Sequence, residues 1–445
     1  MERAYFIVDP YHEYAQRLMA AASEGLGLQA ICVHTDPRRR FEARSRFPAK
    51  ERWIAEHAEV PLASLAEFAQ QAARRYSIAG ALPFNEPTLI PCATLAEAAG
   101  VPWCPPEALR RFRDKVALVE HLRTARPDLR LYRQWPVSDL RDVRAIGADL
   151  PDRFVLKPAH GFGNRGIGFF ERDASDEALI RFLSDGGAPW VLAEGVGGRE
   201  FFANGQVDAS GRISVYAVFQ YHRVAANGRE ALDYLTAKVG RRSRFFGQVD
   251  AYVREVVAAS GLTRSPFHIE IKIDERGPCL IDAGARLVGN RNALVCEKLH
   301  RGIFDPFELA ASAYLSPSPA EPPQLDWDAY DAAELLYVQG IATSSARFYS
   351  TDGAREVEEL PEFAGWVSRP RLGQRISPTV DLFTCPWSLL LRGLDLARLI
   401  ALSGGIRERI DAGARAWAPV RAAVELDGVR RRAQRTLSWF LRGLA

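Results

Sequence analysis

The chain has 445 residues, 47% hydrophobic and 25% charged, a length that suggests two to four domains and a composition that excludes the disordered, fibrous and membrane classes. Its 58 basic and 55 acidic residues leave a formal net charge of +3; this excludes a polyanion binder acting by bulk charge, and the arginine clusters at 38–46 and 430–442 lack the breadth and module of a nucleic-acid site. Six dispersed cysteines without a CxxC pair, a four-residue apolar run before Asp9 and an apolar stretch at 387–402 broken by Arg392, Asp395 and Arg398 point to no zinc site, no signal peptide, no membrane span and a cytoplasmic location.

From the N-terminus, Tyr5–Val8 and Leu28–His34 are strand-like and flank a helical 15–23, and the scheme repeats at 78–83 and 88–99. Strands alternating with helices predict a parallel α/β layer over 1–105. Pro102, Pro105 and Pro106 mark a boundary, after which 107–123 is expected to be one helix carrying Lys115. From 152 to about 300 the pattern predicts strands joined by Gly-rich turns. A Pro-rich linker (Pro317, Pro319, Pro322, Pro323) then opens a mixed last third. The domains expected are thus 1–105, 106–310 with a lid at about 152–192, and 311–445.

Lys157 ends an apolar run and is followed by Gly161, Gly163, Asn164, Gly166 and Gly168. Gly161, Gly163 and Gly166 satisfy GxGxxG, but a dinucleotide site requires a helix to open inside that loop. The residues that follow, Ile167 to Phe170, are strand-like. The unit is therefore predicted as strand, loop, strand, whose side-chain-free backbone suits a lid over phosphates. A surface turn or a NAD(P)-binding oxidoreductase are the alternatives.

Residues 267–273 alternate strictly, with His268, Glu270 and Lys272 on one face and three isoleucines on the other, the period of a strand. A three-residue turn at 275–277 would pair Asp274 with Pro278 and place Glu270 opposite Asp282. Like charges so opposed destabilise a sheet unless something positive lies between them, and two carboxylates suit Mg²⁺ or Mn²⁺. The other arrangement is a polar strand pair in which Lys272 neutralises Glu270. Arg286 returns to the same face four residues after Asp282.

Together the loop and the hairpin resemble the ATP-grasp superfamily, and FHxEIK with its acid and arginine spacing resembles the L-amino acid ligases within it. The resemblance implies an α/β chain, α+β in its core: an ATP-grasp fold with an N-terminal Rossmann-like domain and an extra C-terminal subdomain. It implies that Lys115 and Lys157 bind ATP phosphates, with Gly161, Gly163, Asn164 and Gly166 in the lid. Glu194 and the Val196 backbone would meet adenine, and Glu200 the ribose. Glu270 and Asp282 would hold the metal, and Arg286, with Lys157, would act in catalysis. The asparagine that many relatives carry two residues after the second carboxylate is Gly284 here, with Asn290 or Asn292 as substitutes. His268, Glu86 and Asn290 are substrate candidates, Glu86 being equally suited to cap a helix.

The chemistry implied is ATP-dependent joining of a small-molecule carboxylate, such as an amino acid, to an amine through an acyl phosphate. A peptide, a carrier-protein thiol or bicarbonate are the other acceptors. The resemblance is compatible with a homodimer and implies neither nucleic acid nor membrane as partner.

Overall fold

The computed structural model describes residues 1–36, 51–161, 166–184, 189–289, 292–299, 304–318 and 323–416. Gly163, Asn164, Asn290 and both arginine clusters lie outside them.

The N-terminal part is a four-stranded parallel sheet in the order β3-β2-β1-β4, built from β1 (Arg3–Val8), β2 (Gln29–His34), β3 (Ile54–Glu59) and β4 (Ser77–Ala81). β1 is apolar on both faces because helices cover both, as parallel sheets require. These are α1 (Glu13–Ala20), α2 (Leu65–Ala73) and α3 (Leu89–Ala98). β3 and α2 are additions to the elements expected from sequence: β3, Ile-Ala-Glu-His-Ala-Glu, is a half-exposed edge strand without apolar alternation.

The helix expected over 107–123 is two helices, α4 (Pro106–Arg113) and α5 (Lys115–Ala125). Asp114 divides them. Its backbone is extended (φ −119°, ψ 108°), and its carboxylate accepts from the Val116 and Ala117 N–H groups, so it caps α5 and makes Lys115 that helix's first residue.

The segment expected as a lid, about 152–192, lies in a four-stranded antiparallel sheet in the order β5-β8-β6-β7 that also takes in the earlier β5 (Gln134–Val137), beside β6 (Arg153–Pro158), β7 (Gly168–Glu171) and β8 (Trp190–Glu194); this whole sheet is termed the lid. It has its own small core of Phe154, Leu156, Trp190 and Leu192 against Val143 and Leu179. β6 and β7 pair directly as a hairpin, so Gly161 and Gly166 connect two strands. Among the described residues of this stretch no helix opens, and the chain continues as β7 from Gly168, not as the helix a dinucleotide fingerprint needs.

The central sheet is eight-stranded, in the order β13-β12-β9-β10-β11-β14-β18-β16. Its strands are β9 (Arg199–Val207), β10 (Ile213–Ala226), β11 (Arg229–Lys238), β12 (Ser265–Asp274), β13 (Gly277–Gly284), β14 (Glu334–Gln339), β16 (Phe363–Ser368) and β18 (Ser388–Gly393). Residues after 330 thus extend the same sheet. They add a small sheet of β15 (Ala346–Phe348), β17 (Arg375–Ile376) and β19 (Ala414–Ala416).

The expectation of strands alone between 152 and 300 is corrected by three helices, α6 (Asp176–Ser184), α7 (Arg244–Ser260) and α8 (Asn292–Leu299). α7 has clear helical signals: Ser243 caps its start, Gly261 ends it with φ +72°, and Val249, Val253, Val256 and Val257 form its buried stripe. Among the described residues no helix is long and apolar enough to cross a membrane.

Two stability effects follow from the central sheet. Gly198 stands at the passage from lid strand β8 to core strand β9, at φ +88°, and a Cβ there would lie 2.1 Å from the Ile273 carbonyl oxygen. Gly198→Ala is expected to cost about 1–3 kcal/mol through strain and overlap, read from the urea unfolding midpoint. His222 on β10 is 7% exposed, and burial, with Arg199 adding to it, lowers its pKa to about 4. The unfolded chain then binds a proton below about pH 6.5 that the folded chain refuses until about pH 4. Stability contributed above pH 6.5 is therefore lost across that window, by about 2–3 kcal/mol, and His222→Gln should flatten the loss in urea titrations at pH 4.5 and 7.5.

Candidate active site

The β12 and β13 hairpin brings Glu270 opposite Asp282. The turn is tighter than the sequence suggested: Asp274 pairs with Gly277 across two residues, and Ile271 still pairs with Leu280. Ile281 is then an extra residue, a bulge that shifts the register by one and aligns the two carboxylates.

That bulge is used. Lys157, at the end of lid strand β6, donates from Nζ to the Ile281 carbonyl at 3.0 Å and to the Tyr132 hydroxyl at 3.2 Å, with its ammonium 4.7 Å from the Tyr132 ring centroid. Burial lowers the Lys157 pKa, and Asp282 and Glu270 oppose that shift. Lys115, brought by the helix break at Asp114, lies 3.2 Å from Asp282 Oδ1 and donates to the Gly161 carbonyl at 3.0 Å. One lysine from a helix start thus contacts Asp282, and one from the lid contacts the backbone of the residue before it.

On the other side, Glu270 Oε1 is met by His268 Nε2 at 3.1 Å and by the Tyr221 hydroxyl at 3.2 Å. His268 Nδ1 lies 2.9 Å from Asn204 Oδ1. Burial opposes ionisation of Glu270, yet His268, Arg223 and Tyr221 outweigh it and hold the carboxyl below its ordinary pKa. Glu270 Oε2 and Asp282 Oδ2 have no hydrogen-bond partner among the described residues. Two open carboxylate oxygens fit a small divalent cation that keeps most of its shell for water and phosphate. Among the described residues no cluster of three or more His, Cys, Asp and Glu stands as an alternative metal site.

The segment between lid and core carries the nucleotide candidates. Glu194 accepts from the Arg133 N–H at 3.1 Å and lies 3.7 Å from Arg276. The Val196 carbonyl accepts from Lys272 at 3.2 Å. Lys272 also lies 4.0 Å from Glu200, so it neutralises Glu200 rather than Glu270, correcting the polar-pair alternative. Arg223 bridges Glu200 and Asp233 and lies over the Tyr221 ring. Burial pushes the Asp233 carboxyl up, with Arg223 opposing.

Arg286 and Glu86 meet directly: Arg286 Nε donates to Glu86 Oε2, and Arg113 Nη1 lies 2.8 Å from Oε1. The helix cap considered for Glu86 belongs to its neighbour Asn85, whose side chain accepts from the Thr88 N–H.

Lys115, Lys157, Glu200, Tyr221, Glu270 and Asp282 border a cavity of about 690 Å³ between lid and central sheet, within the usual ligand range, while Arg286, Glu86 and Arg113 are not among its lining residues. Phe169 and Phe170 of the lid line it, as do Val380, Asp381 and Leu382 from the C-terminal part. A second cavity, about 750 Å³ at the start of α7, is lined by charges of both signs and holds neither carboxylate of the pair. Tyr132, Tyr221, Arg223, Asn204 and Arg113 were missed from sequence. Tyr221 and Arg223 alternate on one strand in a way that a period-two reading of 213–226 would have found; Tyr132 and Arg113 carry no local signal.

Residues 150–293 match the ATP-grasp domain family. No curated protein matches the chain in sequence. Among solved structures it is similar to an L-amino acid ligase from Bacillus licheniformis, at 18% identity over 93% of this chain and 98% of that one, with a TM-score of 0.71. It is also similar to N5-carboxyaminoimidazole ribonucleotide synthetase from Thermotoga maritima, at 14% identity over 93% and 99%, TM-score 0.61. A third is the biotin carboxylase domain of the Hydrogenobacter thermophilus 2-oxoglutarate carboxylase in complex with MgADP, ADP and bicarbonate, at 15% identity over 91% and 89%, TM-score 0.62. The paired carboxylates beneath a hairpin lid, the match at 150–293 and the near full-length likeness agree: the chain has the ATP-grasp fold and carries an ATP-grasp domain.

Proposed function

We propose that the protein is an ATP-dependent carboxylate–amine ligase that activates an amino acid or related carboxylate and couples it to an amine. The observation that carries this reading is the convergence of Glu270, Asp282, Lys115 and Lys157 on one cavity under the lid. Likeness to an L-amino acid ligase supports the choice of substrate class.

ATP would lie between lid and central sheet, with Glu194 and the Val196 backbone at the base and Glu200 at the ribose. Lys115 and Lys157 would bind phosphate oxygens as compact point charges. Glu270 and Asp282 would hold Mg²⁺ or Mn²⁺, which neutralises phosphate charge when bound. A carboxylate oxygen of the first substrate attacks the γ-phosphorus, the bond to the bridging oxygen breaks, and ADP leaves. The amine then attacks the acyl carbon, loses a proton, and inorganic phosphate departs as the amide forms. Arg286 would stabilise negative charge on the transferred group. Tyr221 and His268 fix the Glu270 carboxylate, and lid closure by the segment from Gly161 to Gly168, with Gly163 and Asn164 in it, would keep water from the acyl phosphate. The substrate roles of His268 and Asn290 belong to the same proposal, whereas both oxygens of Glu86 are taken up by Arg113 and Arg286.

Incubation with ATP, Mg²⁺ and a panel of amino acids, followed by mass spectrometry for ADP and amide, tests the reading. Glu270→Gln and Asp282→Asn should each lower ADP formation by about 100-fold, and EDTA should abolish it. Full activity in either variant would remove the metal assignment. Lys157→Arg should lose about tenfold or more despite its conserved charge, because the ammonium is packed between the Tyr132 ring and the Ile281 carbonyl. An unchanged rate would take Lys157 out of the chemistry.

A further inference from the structure

Glu86 follows the last strand of the N-terminal sheet, in Pro83-Phe84-Asn85-Glu86. Its carboxylate is 6% exposed, and each oxygen has an arginine: Arg113 at 2.8 Å on Oε1, and the Arg286 Nε on Oε2. The two arginines are themselves largely buried, with side chains 19% and 16% exposed. Arg286 Nη1 also donates to its neighbour's carbonyl, Leu287 O, at 2.8 Å. Its guanidinium is therefore fixed at two edges.

Gly284 shows where that guanidinium stands. The backbone there is outside the left-handed region, and a Cβ would make ordinary contacts, so neither conformation nor close packing demands glycine. The atoms a Cβ would face are Arg286 Cζ at 3.5 Å, Arg286 Nη2 at 3.6 Å and Glu86 Oε2 at 3.6 Å. The ion pair fills the space above residue 284, two residues from Asp282 on the same strand. Arg113 joins the other half of the site, since Asp114 and Lys115 follow it and Lys115 reaches Asp282.

We propose that Glu86 is a positioning residue of the ligase reaction: from the N-terminal domain it clamps Arg286 above Gly284, beside the paired carboxylates, and fixes the Arg113 to Lys115 turn. The inference rests on the ligase reading for its kinetic consequences and on geometry alone for the clamp. Burial opposes a charged Glu86, and Arg286 and Arg113 reverse that and keep it ionised. A neutral isostere keeps the shape and removes the charge that orients Arg286.

Glu86→Gln, Glu86→Asp, Arg286→Lys and the Glu86→Gln/Arg286→Lys double variant, in the full chain, test this. Glu86→Gln should bind Mn²⁺ and ADP within about twofold of the parent by calorimetry, and lose about 100-fold in kcat with little change in KM for ATP. Glu86→Asp should recover part of the loss, and the double variant should be no slower than the worse single one. Multiplying losses, or a parental kcat in Glu86→Gln, would overturn the proposal. A crystal structure of Glu86→Gln decides the clamp without any assay: the guanidinium of Arg286 should leave its place above Gly284, and finding it unmoved would sink the idea. A parent protein without turnover on any carboxylate and amine would count against the ligase reading, and the crystal structure would still decide the clamp.

Discussion

Glu270 and Asp282 face each other across one hairpin with Cβ atoms roughly 5 Å apart, where two bare carboxylates at an effective dielectric of about 20 repel by about 3 kcal/mol. The surroundings offset this repulsion from several directions. Lys115 lies against Asp282, Lys157 takes the carbonyl that the bulge exposes, and Tyr221 and His268 hydrogen-bond to Glu270. Such a constellation is an expensive way to build a sheet and a suitable one to receive a polyanion with its cation.

The groups that meet there come from separate parts of the chain. Lys157 belongs to the lid, Lys115 to a helix start, and Glu270 and Asp282 to the core sheet, while Glu86 of the N-terminal part holds Arg286, just past the end of the strand that carries Asp282. The Lys157 contact runs from the lid sheet to β13 and so ties the two together. Gly198 sits at that junction in a conformation that excludes a side chain. The C-terminal strands β14, β18 and β16 widen the same sheet, and the 380–382 segment reaches the cavity.

Several features were legible because they are local. The strict alternation of 267–273 announced β12, and the same alternation placed His268, Glu270 and Lys272 on one face. The apolar run through Leu156 and the β-like residues after Gly166 announced the lid hairpin. The register came out with Glu270 opposite Asp282 for a different reason from the one expected: a shorter turn and a bulge at Ile281 replace a longer turn. Turn length and bulge trade against each other by one residue, and residue types alone do not fix which is used. The break at Asp114 was hidden because α4 and α5 have compatible helical patterns, and a residue that caps one helix also reads as a polar position within a longer one.

By itself the sequence determined the strand and helix periods, the two carboxylates on one hairpin and the glycine-rich connection between lid strands. Those are properties of spacing, which side-chain direction along a strand or helix converts directly into shared faces. Only the tertiary structure decided which charges pair. Lys272 serves Glu200 and the Val196 carbonyl rather than Glu270, and Glu86 is committed to Arg113 and, across 200 residues of chain, to Arg286. Ion pairing depends on distance in space between elements that fold together, and no periodicity in one strand records what the next layer brings against it.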